Sequence, residues 1–419
     1  MAAPPPISRR RVVVTGLGAV TCVGLGAEAL WIAAREGRGG IGRLTRFDAS
    51  DCRARCAGEV RDFDPASVFQ PKRLRRTDRH TQLAVAAAKM AMEDAGLTFK
   101  EGKRHDRRGV VLGTALAGIS DAEGDHARFA EGGARAVNPM LALMIFGGAG
   151  SSNISIELGL GGPCAASSNS CASGNLALGE AARMVRDGTA DVMLAGGSEA
   201  PLCPLTFSAF DLIHTMSRIA DPARACCPFS AGRDGFVMAE GSAILVLEAE
   251  EHARQRGARV YAEFLGAASN SDAWHMAASL PSGEQAAACM LAALADAGAA
   301  PASVDYVNAH ASSTPINDRN ETVALKRAFG EHARRLAISG TKPIHGHALG
   351  AVAAMEAVIC ARAIHEGFIP PTANLDVPDP ECDLDYVPLK GRPFPLGVVL
   401  SNAFGFGGVN ASIVLGRYP

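Results

Sequence analysis

The sequence predicts an α/β protein with a buried sheet in each half of the chain. Short apolar, β-branched runs alternate with Ala-rich helical stretches over almost the whole length. The strand-like runs read as buried, the pattern of strands covered on both faces. At 419 residues the chain exceeds the size at which one core keeps growing. A new first strand begins near Val260, so the division is expected between residues 1–258 and 259–419.

Arg11 to Thr15 reads as a strand ended by a turn at Gly16-Leu17-Gly18. These glycines invite a dinucleotide fingerprint, but Thr21 stands where the third glycine belongs, so nicotinamide binding is rejected. Ala27 to Arg35 reads as helix and Ser50 to Phe69 as irregular chain. Pro71-Lys72-Arg73-Leu74-Arg75-Arg76 is a basic cluster before a helix predicted over Thr81 to Ala95, with Gly96 as its stop. The cluster reads as a solvated helix entrance or as a docking patch for an acidic partner. Gly109 to Gly113 is a strand. Met140 to Phe146 is too short to span a bilayer and reads as core, or as the wall of an apolar tunnel or subunit interface. Asp191 to Gly197 and Ser242 to Glu248 are strands, the second entered by the turn Arg233 to Val237. Glu250 to Gly257 is a charged helix.

The second half begins with the strand Val260 to Gly266. Helices are then predicted over Gly283 to Gly298, Asn320 to Gly330 and Ala348 to Glu366. Strands are predicted at Val304 to Val307, Leu336 to Ser339, Val398 to Leu400 and Ala411 to Leu415. The abundance of Ala in the helices suits close packing between two sheets.

Composition closes off several classes. Aromatics are 5% and the net charge is −2, so neither stacking surfaces nor a basic field for nucleic acid is expected. Eleven cysteines without a CxxC pair point to free thiols in a reducing compartment. No signal-peptide core follows the start, and no stretch of about 18 uncharged apolar residues exists. A cytoplasmic protein without a membrane span is expected.

The chemistry centres on Ser168-Asn169-Ser170-Cys171-Ala172-Ser173-Gly174, read as a strand, a sharp turn and a helix starting near Ser173. A thiol at a helix N-terminus is expected to titrate below its usual range and to serve as a nucleophile. A lone cysteine is more often structural, so its partners decide. His310 follows a strand in Asn308-Ala309-His310-Ala311-Ser312-Ser313-Thr314-Pro315, where ligands of α/β sheets bind. Thr341-Lys342-Pro343-Ile344-His345-Gly346-His347 joins another strand to the helix carrying Glu356. Near the end, Ser401-Asn402-Ala403-Phe404-Gly405-Phe406-Gly407-Gly408 alternates glycines with rings, bringing backbone N–H groups close to a ligand.

These four stretches, in this order, resemble the β-ketoacyl synthases, and more closely the elongating type that works on acyl carrier protein. The resemblance runs from Val12 to Leu415. It implies the thiolase fold, two similar α/β halves stacked as five layers, usually as a homodimer. It implies that Cys171 accepts the acyl group and that His310 and His347 promote decarboxylation of malonyl thioester, with Lys342 and Glu356 as a supporting pair. Ser312 and Thr314 match pantetheine contacts, Phe406 the gate over the acyl pocket and Leu116 that pocket's wall, with Phe404 also among the substrate-binding residues. The backbone N–H groups of Cys171 and Phe406 would form the oxyanion hole. Arg73, Arg75 and Arg76 would face the carrier protein. No metal or other cofactor is required. Activity is expected to fall below a pH near ~6.5, where free histidine becomes charged. His345 is treated as a bystander. Ala311 stands where the family usually has Gly, Ser312 where it has Thr, and Ser230 where an acidic residue is common; Pro343-Ile344-His345 also differs. These departures leave open fatty acid or specialised polyketide and polyene synthesis.

Three other readings compete. A non-catalytic chain-length partner would lack Cys171. A Cys–His hydrolase would need a water path and a third orienting residue. A thiolase would carry a second cysteine near the C-terminus, and Asn402 to Asn410 has none.

Overall fold

The computed structural model describes residues 9–98 and 103–419; the proline-bearing start on which the signal-peptide reading partly rests lies outside them. Ten strands carry the architecture: β1 (Val12–Thr21), β2 (Arg108–Gly113), β3 (Cys164–Ser167), β4 (Val192–Glu199), β5 (Gly241–Ala249), β6 (Ala262–Ser271), β7 (Tyr306–Asn308), β8 (Ala337–Ser339), β9 (Val398–Gly405) and β10 (Val409–Gly416). The first five lie in the order β1-β5-β4-β2-β3, and the second five in the order β6-β10-β9-β7-β8. Both runs thus read first, fifth, fourth, second, third. In both, the first three neighbours are antiparallel and the remaining pairs parallel. A short antiparallel seam, Val13–Glu263 and Val14–Ala262, joins β1 to β6.

Seven helices matter here: α1 (Ala27–Glu36), α2 (Arg79–Asp94), α3 (Ala149–Leu158), α4 (Ser173–Arg186), α5 (Glu284–Ala297), α6 (Pro315–Phe329) and α7 (Val352–Glu366). Helices α4 and α7 touch strands of both runs and form the central layer. Helix α2, with α3 against it, covers the outer face of the first run; α5, with α6 against it, covers that of the second. The result is the five-layered α-β-α-β-α thiolase fold. A helix between two sheets has no polar face to offer, and α7 is buried without a break from Val352 to Ile364.

The glycines of the first strand read as a turn in the sequence, but β1 runs through them and all ten of its residues are buried. Their role is close approach. A Cβ on Gly16 would lie 2.2 Å from the Ala91 carbonyl oxygen, and one on Gly18 2.0 Å from that of Ala87. The backbone of α2 therefore lies directly on β1. Helix α6 starts at Pro315, earlier than Asn320, because Thr314 caps it by accepting the Asn317 N–H at 3.3 Å. Strand β9 extends past Leu400 to Gly405, which delivers the Gly–Phe segment to the site. The Met140–Phe146 run is not core: only Leu141–Met144 is helical, and Leu143, Ile145 and Phe146 are exposed.

Candidate active site

The loops that leave the C-terminal ends of β3, β7, β8 and β9 converge on one cavity of about 440 Å³. This is where open α/β sheets place their ligands. Cys171, His310, His347, Ser312, Thr314, Phe404 and Phe406 all line it.

Cys171 lies in a 3-10 turn, Ser170–Ala172, that runs straight into α4. Ser170 takes a left-handed φ of 55° to make the turn. The Ser173 hydroxyl ties the turn down, donating to the Ser170 carbonyl at 2.7 Å and accepting the Asn169 N–H at 2.8 Å. The Gly405 backbone closes from the other side, where an added Cβ would be 3.2 Å from the Cys171 nitrogen. The thiol is buried, which corrects the expectation of a depressed pKa. Burial pushes it up to about 11, against the Ser170 hydroxyl, the Lys342 charge and the Phe406 N–H. Desolvation outweighs the helix terminus, so the resting group is a thiol.

Both site histidines are buried, with ring centroids 5.5 Å apart and planes near perpendicular. Burial, then the Lys342 charge, holds each well below the ordinary histidine range. Both are therefore neutral at pH 6.5, and the expected loss of activity near that pH moves to lower pH. The Leu349 N–H donates to His347 Nδ1 at 3.1 Å. That bond requires a lone pair on Nδ1, so the ring proton is on Nε2. The Phe236 ring packs against His347 at 5.0 Å. His310 is held through its backbone: its N–H and that of Ala311 donate to Glu321 at 2.8 Å each. Its Nδ1 is buried without a partner.

Lys342 and Glu356 are fully buried and paired at 2.7 Å. Lys342 Nζ also donates to the His310 carbonyl oxygen. Burial pushes the Glu356 carboxyl up to about 7 despite the lysine. Asn308 Oδ1, Glu356 Oε2 and Ser401 Oγ are buried without hydrogen-bond partners. No group of three or more His, Cys, Asp or Glu placed to hold a metal occurs among the described residues.

Not every expected residue reaches the cavity. Leu116 packs behind the wall, in the cluster that holds Phe236 and Leu349, which are the lining side chains. His345 is buried off the cavity, with its ring nitrogens on the Gly346 carbonyl and the Thr341 hydroxyl. Arg73 is engaged by Glu157 at 2.8 Å and Asn153 at 3.2 Å, whereas Arg75 and Arg76 are exposed without an ion pair among the described residues. All eleven cysteines are free. Ala311 takes a left-handed φ of 44°, and an added Cβ on Gly340 would fall 2.4 Å from its methyl. A glycine opposite makes room for the alanine.

Sequence reading missed Phe210, whose ring stacks on Phe406 at 6.2 Å, and Phe236 and Glu321. Glu321 had a signal: with Asp318 it places two carboxylates on one face of a helix beginning beside His310. The rings carried none, because aromatic side chains at such spacing are ordinary core.

The β-ketoacyl synthase N-terminal domain family matches residues 9–253, and its C-terminal domain family matches residues 261–376. The chain is 43% identical over 413 residues to a 3-oxoacyl-[acyl-carrier-protein] synthase 2 of Synechocystis sp., covering 98% of this chain and 99% of the relative. The corresponding protein of Coxiella burnetii is 42% identical over 412 residues, with the same coverage. Among solved structures, the ishigamide ketosynthase/chain length factor superposes with a TM-score of 0.92 at 35% identity, over 98% of this chain and 100% of that one. A ketosynthase solved with its type II polyketide acyl-carrier protein, AntDE:AntF, gives 0.86 at 37% identity with the same coverage.

Proposed function

The chain belongs to the β-ketoacyl synthase family, and from that premise we propose which of its residues performs each step. The enzyme is a condensing acyltransferase, a 3-oxoacyl-[acyl-carrier-protein] synthase of fatty acid or related polyketide and polyene synthesis. The observation that carries the assignment of steps is the shared cavity: one buried thiol meets two neutral imidazoles.

Cys171 Sγ attacks the acyl thioester carbonyl. The S–C bond to the carrier's pantetheine breaks, and the departing thiolate ends with the proton that Cys171 gave up. The Cys171 and Phe406 N–H groups hold the tetrahedral oxyanion. Malonyl thioester then enters along Ser312 and Thr314. Its carboxylate leaves as CO2, and the bonding pair passes into an enolate whose oxygen accepts from Nε2–H of His347 and from His310. Neutral donors suit this step, because a charged imidazolium would protonate the enolate. The enolate carbon attacks the acyl–Cys171 carbonyl, expels the sulfur, which is reprotonated, and yields a 3-oxoacyl thioester two carbons longer. Lys342 and Glu356 are positioning residues. The lysine fixes the His310 backbone, and its charge adds to burial in keeping both imidazoles neutral.

Incubation with acyl carrier protein thioesters is expected to add one acyl mass to the intact protein, and Cys171→Ala to abolish it. Acylation of another cysteine would overturn the assignment.

The identical strand order supports residues 1–258 and 259–419 as two copies of one module. A homodimer is supported by β3, the outer strand of its run, whose Cys164 and Ala166 are exposed. Of the three arginines of the basic cluster, Arg75 and Arg76 are the ones available to an acidic carrier protein. No helix among the described residues is long and apolar enough to cross a membrane. Free thiols support a cytoplasmic setting.

A further inference from the structure

Glu199 is the last residue of β4 and is completely buried, yet it does not line the cavity. Four donors converge on its carboxylate. Oε2 accepts the Ala115 N–H at 2.6 Å and the Gly350 N–H at 3.0 Å. Oε1 accepts the Leu116 N–H at 3.1 Å and the Thr114 hydroxyl at 3.2 Å. The Thr114 hydroxyl, which donates to Glu199, also accepts the Ala117 N–H at 3.0 Å. Three of the four partners are backbone N–H groups that can only donate, and the two oxygens of a carboxylate have lone-pair sites for all of them together with the hydroxyl.

The donors come from two loops. Residues 114–117 follow β2 and reach the nucleophile turn, where the Thr114 N–H donates to the Ser167 carbonyl at 2.9 Å and the Thr114 carbonyl, at 3.0 Å, shares the Ser173 hydroxyl proton with the Ser170 carbonyl. Gly350 lies one residue after Leu349, whose N–H fixes the His347 ring. The two loops touch: a Cβ on Gly350 would fall 2.4 Å from the Ala115 nitrogen. Leu349 is in the left-handed region at φ 39°, a conformation that needs outside support in a residue with a side chain.

We propose that Glu199 is a positioning residue that clamps the His347 loop to the nucleophile turn and so sets where the Nε2–H of His347 points relative to Cys171. The inference rests on the assignment of decarboxylation to His347. The clamp is unequal. Loop 114–117 keeps its bonds to Ser167 and Ser173 without Glu199, whereas the Gly350 N–H has no other acceptor among the described residues. Loss of the carboxylate therefore frees the histidine side first.

The test is Glu199→Gln, which keeps the shape and places an amide donor against donors. Two half-reactions are measured on the purified full chain: acyl transfer to Cys171 by intact mass, and malonyl carrier protein decarboxylation by CO2 release. We expect acyl transfer within about twofold of the wild type and decarboxylation lower by about 10- to 100-fold, the cost of misplacing a catalytic group by about 1 Å. Equal losses in both half-reactions reduce Glu199 to a structural residue and overturn the proposal, as does no loss in either. Should the variant fail to fold, Gly350→Ala spreads the same two loops and must show the same split; decarboxylation that keeps pace with acyl transfer there overturns it. A wild-type protein that performs neither half-reaction refutes the functional assignment instead.

Discussion

The third strand and central helix of each run make an instructive pair. In the first run, β3 leads through the Cys171 turn into α4. In the second, β8 leads through Lys342 and His347 into α7. The topology is the same and the chemistry is opposite. The first loop presents one uncharged thiol against backbone donors. The second buries an ion pair beside two imidazoles that burial, and then the Lys342 charge, keep neutral. The outer edges differ too. β3 alternates exposed and half-buried residues, whereas β8 is buried and its outer side is taken by Asp385, whose carbonyl accepts the Ile338 N–H at 2.9 Å. The same strand order thus places the thiol and the buried ion pair in corresponding loops, and leaves one outer edge open and the other covered.

The largest break in this pairing is Lys342→Met. It leaves Glu356 buried without its cation, and removing one member of a buried pair costs about 3–5 kcal/mol. We expect a lower thermal midpoint and condensation reduced by about 100-fold or more, from the loss of the bond to the His310 carbonyl. A midpoint within a degree of wild type would show that the pair does not hold the second loop.

The two loops should also separate by pH. Cys171 titrates near 11, so its thiolate fraction grows about tenfold per pH unit from 7 to 10, and alkylation by iodoacetamide should rise with it. The histidines are shifted downward, so malonyl decarboxylation should not fall as pH drops through 6.5 and should fail only well below it. A decarboxylation midpoint at 6.5 would contradict neutral, buried imidazoles.

The edge contrast predicts assembly. The β2–β3 bonds use the Pro163 and Ser167 carbonyls, so Ala166, an odd step away, directs its N–H outward. Ala166→Pro should convert a dimer to a monomer in light scattering at unchanged helix content. A monomeric wild type would refute the edge assignment. The smallest effect belongs to the basic cluster. Arg75→Glu with Arg76→Glu should raise the apparent KM for carrier protein severalfold and flatten its salt dependence, whereas Arg73→Glu should act on stability through Glu157.

Much of this was legible in the chain, for a physical reason. Nucleophile, histidines and Gly–Phe segment are local motifs whose residue types are fixed by chemistry and whose loops follow apolar strands. What could not be read depends on contacts between distant segments. Gly16 and Gly18 look like a turn until α2 lies against them. The Cys171 pKa looks depressed until burial is known. Arg73 looks free until Glu157 meets it across 84 positions. Glu199 is one acid ending one strand, and nothing local shows that two loops close on it.

The most direct test of the division between the two loops is His347→Ala, exposed first to acyl carrier protein thioester and then to malonyl carrier protein, with intact mass followed throughout. We expect the Cys171 adduct to form at close to the wild-type rate and then to persist, with no 3-oxoacyl product. An adduct that disappears on adding malonyl carrier protein, with 3-oxoacyl product released, would contradict the account.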